Sequence, residues 1–157
     1  MLTKEIQFEG PEVRTTASSR RSSETQSGGD ELTFAAGLPG FPDLHNFRLE
    51  RLTGELEPFR LMRSVDRPEI CFVVVAPAVL FPDYSIEIEE QYVSNLALND
   101  AEDAMVMLVI TLGEQPTANL LGPLVVNRHS GMAAQVVQYQ TSYQAAQPLP
   151  IAPSPEA

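Results

Sequence analysis

Proline and glycine interrupt this 157-residue chain so often that long helices are disfavoured. The sequence holds 13 prolines and 9 glycines, and these residues end or bend regular elements. Between them lie short runs of β-branched and aromatic residues, which favour strands. A chain of this length can bury one core without a metal or disulfide bridges. We therefore predict one mainly β domain with one or two short helices.

The alternation and apolarity of the short runs predict where the strands lie. Residues 70–76 and 104–112 are apolar on both faces, which is typical of strands at the centre of a sheet or barrel. We expect Cys71, within the first of these runs, to be a buried and inert thiol. The further predicted strands are residues 4–8 and 31–34, taken as a pair, and residues 46–52, 59–65, 118–127 and 133–139.

One strand prediction includes an assignment of faces. Residues 59–65 place one set of side chains, Phe59, Leu61 and Val65, on one face of a strand. The other face holds Arg60, Met62 and Ser64. Since alternate side chains point to opposite faces, we expect a half-buried strand whose first set forms the apolar face.

A helix is predicted over residues 86–98, because its larger apolar side chains recur at helical spacing. Its first turn would hold Glu87, Glu89 and Glu90, which interact favourably with the positive end of the helix dipole. The following turn, residues 99–103, is expected to be exposed, and its carboxylates have no comparable structural reason. We therefore expect a structural role for the carboxylates of the helix but not for those of the turn.

Two segments are predicted to lie outside the packed domain. Residues 14–29 are rich in Ser, Thr and Gly and are expected to form a mobile loop. Residues 147–157 form a proline-rich segment that we expect to be an extended or disordered tail. The folded domain is thus predicted to span residues 1–146, with the loop as an insertion.

The charges of this chain are distributed unevenly. Its net charge is −11, and no Lys or Arg occurs between Arg67 and Arg128, a stretch with nine carboxylates. Proteins that bind nucleic acid depend on cations to neutralise phosphates, so direct binding of nucleic acid is improbable and a basic protein partner fits better. The alternative is that the acidic surface chiefly maintains solubility. The candidate partner-binding patch is Asp100, Glu102 and Asp103, supported by Glu87, Glu89 and Glu90.

Patterns typical of catalysis or of cofactor binding are lacking in the sequence. His45 and His129 have no metal-ligand spacing to other candidate ligands, and Lys4 is the single lysine. No phosphate-binding glycine loop or nucleophile elbow occurs. We therefore expect no enzyme activity, no cofactor and no metal. No apolar stretch is long enough for a membrane helix, so the expected location is cytoplasmic.

Three stretches, in this order, resemble the FliW family of flagellar assembly factors. Residues 34–41 contain the turn Gly-Leu-Pro-Gly-Phe, residues 72–84 follow, and residues 117–127 read Thr-Ala-Asn-Leu-Leu-Gly-Pro-Leu-Val-Val-Asn. The turn alone would be a weak signal, but its combination with the last stretch is fairly specific. We expect structural roles for the positions that match these motifs, which are Gly37, Pro39, Gly40, Phe41, Asn119, Pro123 and Asn127.

The resemblance implies a fold and a function. The implied fold is a single small β-barrel-like domain of antiparallel strands. The implied function is partner switching, in which the protein binds flagellin and, once free, binds the translational regulator CsrA. Binding of CsrA would antagonise its repression of flagellin mRNA translation. The alternative hypothesis is a β-barrel that carries a small ligand, or acts as an enzyme, through an interior pocket.

Overall fold

The computed structural model describes residues 3–7, 31–139 and 141–150. The loop predicted at residues 14–29 lies outside these ranges, as does the end of the predicted tail beyond residue 150. Side chains are described from residue 31 onward, so residues 3–7 are considered only through their backbone pairing.

The described chain is built from short strands and two short helices. The helices are α1, Pro77–Leu80, and α2, Glu90–Asn95, and single 3-10 turns lie at Gly54–Leu56 and Ala101–Asp103. The strands in chain order are β1 Thr3–Gln7, β2 Glu31–Phe34, β3 Asn46–Arg51, β4 Arg60–Ser64, β5 Cys71–Val75, β6 Ser85–Glu89, β7 Ala104–Thr111, β8 Thr117–Ala118, β9 Leu124–Asn127, β10 Met132–Gln135 and β11 Gln147–Pro148.

Seven of the strands close into a barrel. Each is paired with its neighbour around the ring β2, β3, β4, β5, β7, β9 and β10, and β10 returns to β2. The closing pair is parallel, with Met132 opposite Thr33 and Ala133 opposite Phe34, whereas the other six pairs are antiparallel. The predicted fold class, a small and mainly β barrel with short helices, is confirmed.

The interior of the barrel is filled by side chains. Alternate residues of its strands point inward, as the pleat of a strand requires. Phe34 and Phe47 meet there edge to face, with ring centroids 5.5 Å apart. Met62 and Val74 are fully buried beside them in the same apolar cluster. The interior cavity that the alternative hypothesis requires is therefore occupied by the core of the described barrel.

A second apolar layer covers one side of the barrel. Outward residues of β5, β7 and β9 pack against Ile86 and Ile88 of β6, which are both buried. Tyr84 donates a hydrogen bond of 2.6 Å to the carbonyl of Leu120, and burial raises its pKa above the ordinary value. Strand β6 pairs with β1 to form a separate two-stranded ribbon, so the predicted pairing of residues 4–8 with 31–34 is wrong.

The buried face of β4 is opposite to the predicted one. Met62 and Ser64 are buried, while Val65 is 44% exposed. The cause is the pairing with β3, which sets Met62 opposite Leu49 and Ser64 opposite Phe47, on the inner face of the barrel. A side-chain period of two puts the other residues of β4 outside.

Three further predictions are corrected at the ends of elements. Cys71 is exposed, because it begins β5 on the outer face of the barrel, opposite Arg63. Residues 118–127 form two strands, β8 and β9, with an intervening loop. Within the predicted tail, Gln147–Pro148 is a strand that pairs with β8, and Leu149 packs against the outer core cluster.

The segment predicted as one helix, residues 86–98, divides into a strand and a helix. Glu87 and Glu89 belong to β6, and Glu90 begins α2. The pattern Ser-Ile-Glu-Ile-Glu alternates with a period of two, and its pairing with β1 selects the strand over the helical reading. The dipole argument for three helical carboxylates therefore holds only for Glu90.

Candidate functional site

The acidic turn after α2, residues 99–103, has a structural role that its sequence pattern did not predict. Asp100 accepts a hydrogen bond of 3.1 Å from the backbone N–H of Glu102 at the start of a 3-10 turn. Asp103 accepts from the N–H groups of Asn99 and Asp100, at 2.8 and 3.1 Å. These bonds satisfy donors that a helix start leaves free, as in a capping box. Two of the three carboxylates in this predicted patch therefore hold the turn together.

The long gap in positive charge along the sequence closes in space at this turn. Arg128 donates to the carbonyls of Glu102 and Ala104, at 2.8 and 3.1 Å. The imidazole Nε2 of His129 lies 3.0 Å from Asp103 Oδ1. The backbone N–H groups of Asn99 and Asp100, and then His129, lower the pKa of Asp103. This turn is consequently less negative than the sequence alone predicts.

The other three carboxylates of the predicted patch lie on β6 and at the start of α2. We call Glu87, Glu89 and Glu90 the acidic surface. Ile86 and Ile88 point into the core, so the alternation of β6 directs Glu87 and Glu89 away from it. Within the described part of the chain, no ion pair involves any of these three residues; Glu89 accepts a weak bond of 3.4 Å from Gln91.

The strand that carries the acidic surface is held on both edges. Along one edge, β1 pairs with β6 in a register that sets Glu5 opposite Glu87. On the other, the buried amide of Gln138 accepts from the N–H of Glu87 at 2.9 Å and donates to its carbonyl at 3.0 Å. Strand β6 therefore has hydrogen-bonded neighbours on both of its edges.

Asn127 connects the helix of the acidic surface to the barrel. Its side chain is buried and donates to the carbonyls of Leu96 and Ala97, at 2.8 and 3.2 Å. Its Oδ1 accepts from the N–H groups of His129 and Ser130, at 2.8 and 3.2 Å. One amide thus joins the end of α2 to the turn after β9.

A contrasting surface lies on the other side of the barrel. We call the outer face of β2, β3 and β4, with Glu31, Arg48, Glu50 and Arg63, the paired face. Arg48 bonds Glu31 at 2.9 Å, and Arg63 bonds both oxygens of Glu50, at 2.8 and 3.2 Å. The bonds from Arg63 lower the pKa of Glu50. Here carboxylates and guanidinium groups compensate one another.

The glycine-rich turn of the first matching stretch has geometry that depends on glycine. Gly37 has φ of +71°, and a Cβ there would lie 2.5 Å from the carbonyl oxygen of Pro42. Leu38 and Phe41 exchange backbone hydrogen bonds of 3.2 and 2.8 Å across the turn. Pro39 and Gly40 form its exposed tip. The turn therefore brings residues 37 and 42 closer than any side chain would permit.

The other matching positions lie in the loop between β8 and β9. Asn119 Oδ1 accepts from the N–H groups of Leu121 and Gly122, at 3.0 and 2.8 Å. Pro123 is buried, and its carbonyl accepts from Val136 at 2.9 Å. Asn119 caps the turn through its side chain, as short polar side chains commonly do.

Neither a metal centre nor a membrane helix is found in the part of the chain that the structure describes. No group of three or more His, Cys, Asp or Glu side chains there could hold a metal ion. The described helices are too short to cross a lipid bilayer. A depression of about 360 Å³ lies at the surface, beside the glycine-rich turn, and not inside the barrel. Our candidate functional site is the acidic surface, because its three carboxylates are without an ion pair among the described residues.

Comparison with known proteins identifies the family. The model of the FliW protein family matches residues 14–149. A flagellar assembly factor FliW of Bacillus licheniformis is 39% identical over 130 residues, covering 80% of this chain and 90% of the relative. That of Bacillus subtilis (strain 168) is 35% identical over 121 residues, covering 75% and 84%.

The fold agrees with this assignment. A crystal structure of the flagellar assembly factor FliW superposes with a TM-score of 0.71 at 28% identity, covering 79% of this chain and 88% of the other. The family match, the sequence relatives and the shared barrel together show that this chain belongs to the FliW family.

Proposed function

We propose that this protein is a cytoplasmic flagellar assembly factor that binds flagellin and, when free of it, binds CsrA and antagonises repression of flagellin mRNA translation. Its relatives carry the name flagellar assembly factor. The action is that of a binding protein and not of an enzyme, and it requires neither a metal nor direct contact with nucleic acid. The proposed partners are those that the family resemblance implies, and the uncompensated carboxylates of the acidic surface support the proposed contact surface.

The observation that supports the contact surface is that Glu87, Glu89 and Glu90 have no ion pair with any other described residue. These carboxylates stand on a strand and a helix that are anchored by Gln138 and Asn127. A fixed array of unpaired negative charge attracts a basic protein and repels the phosphates of an RNA that competes for it. Of the three carboxylates in the turn after α2, Glu102 is exposed and is included in the proposed contact surface, whereas Asp100 and Asp103 cap the turn.

The test is a binding titration with purified CsrA at low salt. We expect a triple variant, Glu87→Gln with Glu89→Gln and Glu90→Gln, to bind about tenfold more weakly, given the modest energy of each exposed charge pair. The salt dependence of its affinity should also decrease, since exposed charges are screened over roughly 8 Å at physiological ionic strength.

The matched control removes the same formal charge elsewhere. The variant Glu31→Gln with Glu50→Gln and Glu69→Gln alters three carboxylates that are paired with arginines. It should bind CsrA with nearly unchanged affinity. Equal weakening by both variants would reject the acidic surface while leaving the family function intact.

Partner switching is tested separately, by adding flagellin to the preformed complex with CsrA. Release of CsrA in proportion to the added flagellin is the expected result. Absence of binding to either protein at low salt would overturn the proposed function itself. Glu102→Lys tests whether Glu102 belongs to the contact surface, because it leaves the capping side chains of Asp100 and Asp103 in place. Unchanged affinity for CsrA would exclude Glu102 from that surface.

A further inference from the structure

A surface depression lies between two turns at one end of the barrel. One wall is the glycine-rich turn with the residues after it, Gly40, Phe41, Pro42, Asp43 and Leu44, and the other contains Asp66 and Arg67. The volume is about 360 Å³, which is sufficient for one side chain of a partner. The acidic surface does not contribute to it.

Both walls are held in place by hydrogen bonds, one of which is accepted by a side chain. Leu44 donates to the carbonyl of Phe41 at 3.1 Å, which folds the chain back after the turn. On the other wall, the buried hydroxyl of Ser64 accepts from the N–H of Arg67 at 2.9 Å, and Ile70 donates to the carbonyl of Arg67 at 2.8 Å. The depression is therefore preformed, which reduces the ordering that a ligand has to offset.

The lining combines an apolar part with free negative charge. Phe41 is half-buried, its ring packed edge to face on Phe72 with centroids 5.9 Å apart, and Leu44 is buried beside it. Asp43 and Asp66 are exposed, and neither carboxylate has a hydrogen bond or ion pair with the described residues. Apolar walls below a charged rim suit a side chain with a long aliphatic stem and a cationic head.

The positive charge that also lines the depression is partly compensated from outside it. Arg67 Nε bonds Glu69 Oε2 at 3.4 Å, and Glu69 is not among the lining residues. The lining thus has two carboxylates and one guanidinium, with an additional carboxylate behind that guanidinium. The balance favours a cationic ligand over an anionic one.

We propose that this depression receives an arginine or lysine side chain of a partner protein, with its head between Asp43 and Asp66 and its stem along Phe41 and Leu44. An aromatic ring beside a cationic head adds a further attraction. The contact lies in a different part of the molecule from the acidic surface, so it is independent of the binding site proposed for CsrA.

The experiment is an NMR titration of the ¹⁵N-labelled protein with N-acetyl-arginine amide. The control ligand is N-acetyl-citrulline amide, which has the same shape without the charge. We expect shifts at the amides of Gly40, Phe41, Asp43, Asp66 and Arg67 with the arginine compound, and much smaller shifts with citrulline. Identical shifts with the two compounds would overturn the proposal.

Single variants show which of the two lining carboxylates contributes to binding of the arginine compound. Asp43→Asn and Asp66→Asn should each weaken binding of the arginine compound about two- to fivefold, and together about tenfold. Asp83→Asn removes an exposed carboxylate elsewhere and should leave binding unchanged. Equal weakening by Asp83→Asn would show attraction to net charge alone and would refute the site. Both lining carboxylates are exposed and unbonded, so these isosteric variants keep the fold.

Discussion

The paired face and the acidic surface treat charge in opposite ways within one small barrel. On the paired face, Arg48 and Arg63 lie directly opposite one another across β3 and β4, and each is engaged by a carboxylate. On the acidic surface, Glu87, Glu89 and Glu90 have no ion pair within the described residues. The first arrangement is what a sheet needs for its own stability, whereas the second leaves charge available to another molecule.

The largest expected effect on the acidic surface comes from removing the hydrogen bonds that join α2 to the barrel. Asn127→Ala would leave four backbone groups, one buried and three partly buried, without their partner. We expect a loss of about 2–4 kcal/mol in the free energy of unfolding, from the penalty for buried unsatisfied groups. Urea unfolding measures it, with Asn95→Ala on the exposed side of α2 as the control. A loss no greater than that of the control would contradict the role of Asn127.

Acid should weaken the turn that adjoins the acidic surface. Because the pKa of Asp103 is lowered in the folded state, its contribution to stability is present above its unfolded-state pKa, near 3.8. That contribution is lost as the pH falls through the lower, folded-state value. Asp103→Asn should therefore flatten the loss of stability between about pH 6 and pH 2 in urea unfolding.

The control for the acid prediction is Glu102→Gln. The side chain of Glu102 has no bond within the described residues, so this variant should keep the pH dependence of the unaltered protein. Identical profiles for Asp103→Asn and the unaltered protein would show that the hydrogen bonds from Asn99 and Asp100 do not stabilise the charged form.

A single substitution removes one of the ion pairs of the paired face. Arg63→Gln removes both bonds to Glu50, so the pKa of Glu50 should rise toward its ordinary value. NMR titration of the Glu50 carboxyl measures the change. The effect on stability should be smaller than that of Asn127→Ala, because the side chains of Arg63 and Glu50 are both more than a third exposed. An unaltered pKa would show that the pairing does not persist in solution.

The smallest expected effect is a gain on the acidic surface. Glu87→Thr introduces a residue that favours strands into β6. We expect a stabilisation of less than about 1 kcal/mol in urea unfolding. Glu102→Thr, in the 3-10 turn Ala101–Asp103, is the control and should not gain stability. A loss of stability with Glu87→Thr would show that the glutamate itself contributes to the stability of β6.

The sequence predicted most of the barrel because its signals are local. Runs such as residues 46–52 and 104–112 show their alternation or apolarity directly, and they became β3 and β7. The failures came where a partner distant in sequence decides the outcome. β6 is a strand because β1 pairs with it, and the inner face of β4 follows from its register with β3.

The candidate site was predicted only in part for the same reason. The sequence placed unpaired charge between Arg67 and Arg128, yet β7 and β9 pair so that Ala104 lies opposite Asn127. That register brings Arg128 and His129 to the acidic turn, which no local pattern reveals. One missed signal was available, since Asp100 and Asp103 have the spacing of a capping box. No local pattern in the sequence indicates that Gln138 bonds the backbone of Glu87, because the two residues are 51 positions apart.

The parallel pair that closes the barrel has a consequence for biosynthesis. Thr33 emerges from the ribosome early, but its partner on β10 is Met132, about a hundred residues later. Until then the edge of β2 that β10 covers lacks this partner, and such edges invite pairing with other chains. Contacts so distant in sequence also slow folding. The nascent protein therefore completes its barrel only after β10 has emerged, and a chain stopped before β10 would be prone to aggregation.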